Sequence, residues 1–312
     1  MPKIFIDGSA GTTGLRIRER LSARKDLELL QLPEDLRKDP SARADALNRA
    51  DISFLCLPDQ AAKEAVSLVT SDTAVLIDTS TAHRTAPGWV YGFPELHGQA
   101  DRIRASRRVA NPGCHATGFI SLVAPLRAMG LLEADVRLSC FSLTGYSGGG
   151  KKMIAEYESP DVSPLLAAPR QYGLSQAHKH LPEMAALCGL ADPPVFSPIV
   201  GPWYAGMEVT VPLTRADIDA SPEDLIQLYR EYYRNAGLVR VSEEDREEGF
   251  LSACAFTGRD DLEITVRGNR DRLLLISRFD NLGKGASGSA IQNMNLLLGA
   301  EETEGLVLGN QG

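Results

Sequence analysis

The sequence predicts an α/β fold, a doubly wound parallel sheet joined to a second, α+β domain. Three observations carry this. Short apolar runs at 3–7, 27–32, 52–57 and 74–77 alternate with helical stretches near 41–49 and 60–69, and such alternation builds a parallel sheet with helices on both faces. The first run ends directly in a glycine turn, Gly8-Ser-Ala-Gly11-Thr-Thr-Gly14, after which Leu15, Arg18 and Leu21 continue at helical spacing. Further on, strands near 137–143, 195–200, 207–213, 262–266 and 273–280 surround a helix over 222–233, the mark of an α+β layer. At 312 residues the chain has room for two medium domains.

The strand, glycine turn and helix around Gly8, Ser9, Gly11, Thr12, Thr13 and Gly14 suit a dinucleotide-binding domain. Glycines let the backbone turn sharply against a pyrophosphate, and the helix N-terminus supplies N–H groups and a favourable field. The spacing is Gly-x-x-Gly-x-x-Gly rather than Gly-x-Gly-x-x-Gly, so a glycine turn in another α/β protein stays open as an alternative. Glu34 and Asp35 lie about 20 residues beyond the turn, where an acidic residue takes the ribose diol of NAD. Arg37 and Lys38 follow and suit the 2′-phosphate of NADP, although on a polar loop a solvated charge cluster is the better account of all four. Leu57-Pro58 ends the third strand and walls the same site.

Composition narrows the partners to small molecules. Lys and Arg number 33 against 41 Asp and Glu, a formal charge of −8, with no basic stripe among aromatics; nucleic acid is not expected. No apolar run reaches the ~20 residues of a membrane span, and no signal-peptide pattern precedes the first strand. A cytoplasmic chain with no membrane partner is the expectation. Five cysteines at scattered spacings, with no Cys-x-x-Cys pair, predict free thiols and no metal.

Cys114 stands apart from the other four. Val109 and Ala110 finish a strand, Asn111-Pro112-Gly113 supplies a turn, and from His115 onward Phe119, Ile120, Val123 and Leu126 are spaced helically. Cys114 therefore falls at a helix N-terminus, whose N–H groups favour thiolate, the attacking form, and can hold an oxyanion. A thiol packed as a small hydrophobe is the alternative, and it suits Cys56, Cys140, Cys188 and Cys254 in their apolar surroundings.

A thiolate beside a nicotinamide suggests reductive or oxidative acyl chemistry, which needs an acid/base for the hemithioacetal oxygen. His178-Lys-His180-Leu-Pro-Glu183 offers two imidazoles that share a face if the chain is extended, before a helix opened by Pro182. His180 adjoins that helix, whose field keeps it able to accept a proton near neutrality. A hydrogen-bonded structural role for at least one histidine is the alternative. Thr144 to Lys152 is a second glycine-rich loop, either a flexible linker or a place where the nicotinamide approaches the thiol through Ser147 and Gly148. Arg84 follows a strand's carboxyl end and is a candidate anion binder.

Several motifs together resemble the N-acetyl-γ-glutamyl-phosphate reductases, a family of arginine biosynthesis related to the aspartate-semialdehyde dehydrogenases. They are the turn at Gly8 to Gly14, Ile77-Asp-Thr-Ser-Thr-Ala-His-Arg84, Tyr91-Gly-Phe-Pro-Glu-Leu96, Ala110-Asn-Pro-Gly-Cys114, the Ser147-Gly148 loop, His178-Lys-His-Leu-Pro-Glu183, and the tail from Asp280-Asn-Leu-Gly-Lys-Gly through Asn295. The chain is similar to the shorter of two subgroups, departing from the longer one at His115 and in Gly148-Gly149-Gly150. The resemblance implies NADPH-dependent reduction of the γ-acyl phosphate to a semialdehyde through a Cys114 thioester, His180 or His178 being the acid/base. It implies substrate contacts from Arg84, Asn111, Ser147 and Glu183, and adds Asn281 to the cofactor contacts. It also implies a dinucleotide domain of residues 1–113 plus 286–312, the tail helix 287–298 crossing back onto it. Residues 114–285 then form a substrate and oligomerisation domain, in a homodimer or homotetramer. A related thiol dehydrogenase, acting on aspartate semialdehyde or a carrier-linked amino-adipyl phosphate, remains the alternative, as does a catalytically dead cofactor-binding relative.

Overall fold

A computed structural model describes residues 1–244 and 247–309. The described chain forms two units, one of Met1–Pro94, Gly98–Pro112 and Ala286–Leu306, the other of Glu95–His97, the described part of Gly113–Gly285, and 307–309. Local bonds account for the two short excursions. The Glu95 carboxylate is paired with Lys284, the His97 N–H donates to the Tyr232 hydroxyl, and Val307 exchanges hydrogen bonds with Asp260.

The first unit is a six-stranded sheet of β1 (Lys3–Asp7), β2 (Glu28–Leu30), β3 (Ile52–Leu55), β4 (Val75–Asp78), β5 (Val90–Tyr91) and β6 (Arg108–Ala110), in the order β2-β1-β3-β4-β6-β5. Every pair is parallel. Helices α1 (Thr12–Leu21), α2 (Pro40–Arg49), α3 (Asp59–Ser67) and α4 (Gln99–Arg104) connect the strands, and the last helix, Gly288–Leu298, belongs to this unit. Because side chains alternate along a strand, Ile4, Ile6, Phe54 and Ile77 pack on one face with Ile17, Ile103 and Met294. Phe5, Leu55 and Leu76 pack on the other with Leu47 and Ala65. The order reverses at β1, whose neighbours are β2 and β3, and ligands gather outside the carboxyl ends of strands at such a switch point.

The second unit is a mixed sheet. Its strands are β7 (Ser139–Gly145), β8 (Arg170–Gln171), β9 (Val195–Gly201), β10 (Met207–Thr214), β11 (Val239–Val241), β12 (Leu262–Asn269) and β13 (Arg272–Phe279), ordered β11-β12-β13-β10-β7-β9-β8. Helices α5 (Cys114–Ala128), α6 (Gly150–Tyr157), α7 (Leu181–Cys188) and α8 (Pro222–Tyr232) accompany it. Helix α5 lies close on β10 and β13 because Gly118 has no side chain: a Cβ there would stand 2.4 Å from Val209 Cγ2 and 2.9 Å from Ser277 Oγ. Pro125 lies inside α5 and cannot donate to the Ser121 carbonyl. The buried Tyr233 hydroxyl donates to that carbonyl instead, at 2.7 Å. Helix α8 opens with Pro222 behind a Ser221–Asp224 capping box.

Candidate active site

Cys114 is the first residue of α5, behind an extended Gly113 (φ −78°, ψ 145°), and is half-buried. Two bonds fix this turn: the Thr117 hydroxyl donates to the Gly113 carbonyl, and the Gly113 N–H donates to Glu183 Oε2 at 3.2 Å. Glu183, itself buried, sits in the first turn of α7, so its carboxylate holds the thiol-bearing helix start. Gly285 lies flush against the same residue, where a Cβ would come 2.9 Å from Cys114 Cβ. The surroundings of the other cysteines differ. Burial pushes the Cys56 thiol up to about 12 and drives Cys140 and Cys188 well above the ordinary thiol range. Cys254 is raised, mainly by partial burial, although its residue is exposed.

The two histidines do not lie on an extended segment, which corrects the sequence expectation. The His180 N–H donates to His178 Nδ1 at 3.2 Å and the Leu181 N–H to the His178 carbonyl, so the chain turns and His180 becomes the helical N-cap of α7 (φ −88°, ψ −11°). Their rings stand perpendicular with centroids 4.8 Å apart. Since His178 Nδ1 accepts, the proton of its neutral ring is on Nε2. His115 completes a cluster of three imidazoles, 5.5 Å from each of the other two. Its Nδ1 is 2.6 Å from Ser142 Oγ and its Nε2 2.6 Å from the Tyr172 hydroxyl. Burial pushes its pKa down to about 3, and Lys179, with His178 once that ring is itself protonated at low pH, pushes the same way. Tyr172 is driven up by burial and by the charge of Cys114. Among the described residues no group of three or more His, Cys, Asp or Glu side chains is placed to hold a metal ion.

The second glycine-rich loop is not a linker: Tyr146–Gly149 form a 3₁₀ turn and α6 follows at once. Buried Ser147 accepts from Asn281 Nδ2 at 3.0 Å, and Asn281 Oδ1 accepts from the Gly206 N–H at 2.9 Å. Gly148 lies over this pair, with Asn281 Nδ2 3.6 Å from where its Cβ would be. Two of the sequence motifs meet through a bond that sequence alone does not announce. Lys284 and Glu95, both fully buried, pair at 2.5 Å and anchor the wide helical turn Gly283–Ser287 that carries Gly285.

In the first unit, Arg84 and Asn111 belong to one polar knot. Arg84 Nε donates to the Asn111 carbonyl at 3.0 Å and its Nη2 to the Thr79 carbonyl at 3.3 Å. The buried Asn111 amide donates to the Ala286 carbonyl and accepts from Asn293. The glycine turn shows what it is built for. A Cβ at Gly8 would collide with the Cys56 carbonyl at 2.2 Å, and one at Gly14 with the Gly8 carbonyl at 2.5 Å. At Gly11, the N-cap of α1, a Cβ would meet protein only at 3.5 Å. The fold itself does not demand glycine there, and the N–H groups that open α1 have room before them for a pyrophosphate. A cavity of about 630 Å³ adjoins the turn, lined among others by Gly8, Ser9, Glu34, Arg37, Lys38 and Leu57; Pro58 is the N-cap of α3 beside it. Arg43, which sequence reasoning missed, lines it too, paired with Asp7 at 2.8 Å. The residues present fit a dinucleotide.

A family profile described as "Semialdehyde dehydrogenase, NAD binding domain" matches residues 19–105, and one described as "Semialdehyde dehydrogenase, dimerisation domain" matches 114–281. The fold agrees. Aspartate semialdehyde dehydrogenase II from Vibrio cholerae superposes with a TM-score of 0.70 at 16% identity over 95% of this chain and 98% of that one. The enzyme from Francisella tularensis gives 0.70 at 16% over 96% and 100%. Fold and profiles define the class: a semialdehyde dehydrogenase-type oxidoreductase with a nicotinamide dinucleotide cofactor and a dimerisation domain. Within it, N-acetyl-gamma-glutamyl-phosphate reductase 2 of Nostoc sp. is 46% identical over 98% of this chain and 99% of its own length. The namesakes from Rhizobium leguminosarum and Brucella canis are 47% and 48% identical over 95% and 96% of the chain, each along 99% of its own length. The chain belongs to the N-acetyl-γ-glutamyl-phosphate reductase family. No helix among the described residues is long and apolar enough to cross a membrane.

Proposed function

We propose that the protein reduces N-acetyl-γ-glutamyl phosphate to N-acetylglutamate 5-semialdehyde and phosphate, with NADPH, as a step of arginine biosynthesis. The observation that carries this reading is Cys114 at the first position of α5, its turn clamped by Glu183 and the next residue, His115, clustered with His178 and His180. The Cys114 sulfur attacks the acyl carbon, the carbon–oxygen bond to phosphate breaks, and a thioester remains on the protein. When bound, the nicotinamide supplies the hydride that reduces this thioester. His180 gives a proton to the resulting hemithioacetal oxygen and takes it back as the carbon–sulfur bond breaks, releasing the aldehyde and the thiolate. His180 is preferred over His178 because His178 Nδ1 accepts a backbone N–H at 3.2 Å. That bond is lost in an imidazolium, which has no acceptor, so it disfavours a protonated His178.

The remaining residues bind and hold. The α5 N–H groups face an oxyanion at Cys114. Glu183 and Asn111 act chiefly by fixing the turn, given their bonds to Gly113 and to Ala286 and Asn293. Ser147 and Asn281 shape the cofactor's approach as a bonded pair, and Arg84 remains the candidate phosphate contact. Arg37 and Lys38 line the cavity and favour a 2′-phosphate. The assembly is a homodimer or homotetramer, in the cytoplasm. Cys114→Ala tests the reading: it is expected to bind NADPH and to have no reductase activity. Substantial turnover by this variant, or a wild-type enzyme that prefers aspartate semialdehyde, would overturn it.

A further inference from the structure

We infer that His115 is a positioning residue for the chemistry at Cys114, its ring bridging the hydroxyls of Ser142 and Tyr172 and fixing the direction of the Tyr172 hydroxyl. The inference rests on the Cys114 reading above.

His115 follows Cys114 in the first turn of α5 and is buried, as is Ser142. Both ring nitrogens are engaged at 2.6 Å, Nδ1 with Ser142 Oγ and Nε2 with the Tyr172 hydroxyl. The ring edges are packed by Phe196 at 5.2 Å and by His178 and His180 at 5.5 Å, and Lys179 is the nearby fixed cation. A phenylalanine would fill the same volume. It would leave two hydroxyls facing carbon, so packing alone does not explain a histidine here.

The imidazole stays neutral through the working pH range, because its pKa lies near 3. A neutral ring has one N–H and one lone pair. The two hydroxyls therefore cannot play the same part: one donates to the ring and the other accepts from it. The ring thereby ties the sense of the Tyr172 hydroxyl to the opposite sense at Ser142. Tyr172 stays protonated, since burial and the Cys114 charge both push it up, and the ring that holds its hydroxyl belongs to the residue next to Cys114 in the first turn of α5. With both ring nitrogens engaged by hydroxyls, His115 acts by position rather than by proton transfer.

The test uses the full-length protein with His115→Phe, His115→Gln, Tyr172→Phe, the double variant His115→Phe/Tyr172→Phe, and Cys114→Ala in parallel. The readouts are kcat and KM for acyl phosphate and NADPH, and the pH–rate profile of Cys114 alkylation by iodoacetamide. His115→Phe and Tyr172→Phe are each expected to lower kcat roughly tenfold with KM for NADPH unchanged, and the double variant to be no worse than the poorer single one, as expected of residues acting as a unit. Both should displace the alkylation profile, and His115→Gln, which keeps a polar bridge, should recover part of kcat. Wild-type kcat and alkylation in His115→Phe, or losses that multiply in the double variant, would overturn the inference. If His115→Phe does not fold, His115→Gln against Tyr172→Phe decides, by the same comparison of single and double variants. Activity in Cys114→Ala would sink the underlying reading, whereas an inactive Cys114→Ala beside a normal His115→Phe removes only this inference.

Discussion

At the residue scale the chemistry depends on how differently five thiols are housed. Cys56, Cys140 and Cys188 are pushed up by burial and Cys254 is raised as well, whereas Cys114 lies at a helix N-terminus. Iodoacetamide labelling at pH 8, followed by peptide mapping, is expected to modify Cys114 first and Cys254 second, with acyl phosphate protecting the first; equal rates would refute the helix-terminus argument. His115 gives a pH signature of a different kind. An unfolded histidine titrates near 6.5 and the folded one near 3, so the unfolded chain binds the extra proton between those values. The stability His115 contributes is complete above pH 6.5 and falls, by at most about 1.4 kcal/mol per pH unit, as pH drops toward 3. Urea titrations at pH 7 and pH 5 should show a smaller loss in His115→Gln than in the wild type. The Asn-Pro-Gly turn before Cys114 made its place at a helix start legible, because turn chemistry is local. The Glu183 clamp and the Gly285 contact were not legible, since each joins positions some 70 or 170 apart. Only Gly285's place in the tail motif pointed to it.

At the scale of single elements, α5 shows how a helix interrupted by proline is kept whole. Tyr233→Phe removes the hydroxyl that satisfies the Ser121 carbonyl and is expected to destabilise the fold by about 1–3 kcal/mol with little change in KM. Gly118→Ala forces a methyl to 2.4 Å from Val209 and should cost about 1–3 kcal/mol as overpacking; thermal unfolding checks both. Elements such as α8 and β10 could be read from the sequence because a buried stripe or face repeats over several turns or pleats, and α5, buried all round from His115 to Leu126, because its large apolar residues keep helical spacing. The strands Val90–Tyr91, Arg170–Gln171 and Val239–Val241 were missed because two or three residues hold no period. Helix α6 was missed because the glycines before it made Thr144 to Lys152 read as loop throughout, whereas Ser147 and Asn281 fix its first half and a helix follows. The histidine pair was misread as extended because a side-chain acceptor, His178 Nδ1, makes the turn, and no turn residue betrays it.

At the scale of the whole molecule, the α/β class with its doubly wound first unit followed from alternation alone, since parallel strands need helical crossovers. The mixed order of the second sheet did not follow, because pairing of distant strands leaves no mark on either one. Cofactor choice also belongs to this scale: the cavity holds acidic Glu34 and basic Arg37 and Lys38 together. Arg37→Ala/Lys38→Ala is expected to weaken NADPH at least tenfold more than NADH in fluorescence titrations, and equal weakening would place the 2′-phosphate elsewhere. The account as a whole stands on a thioester at Cys114, and the reverse reaction examines it most directly. Incubated with N-acetylglutamate 5-semialdehyde and NADP⁺, the wild-type protein should form at most one equivalent of reduced nicotinamide per Cys114 without inorganic phosphate and turn over continuously only when phosphate is added, because phosphate must release the acyl group from the sulfur; Cys114→Ala should form none with or without it. Nicotinamide reduction that runs past one equivalent without phosphate, or that persists in Cys114→Ala, would contradict the account.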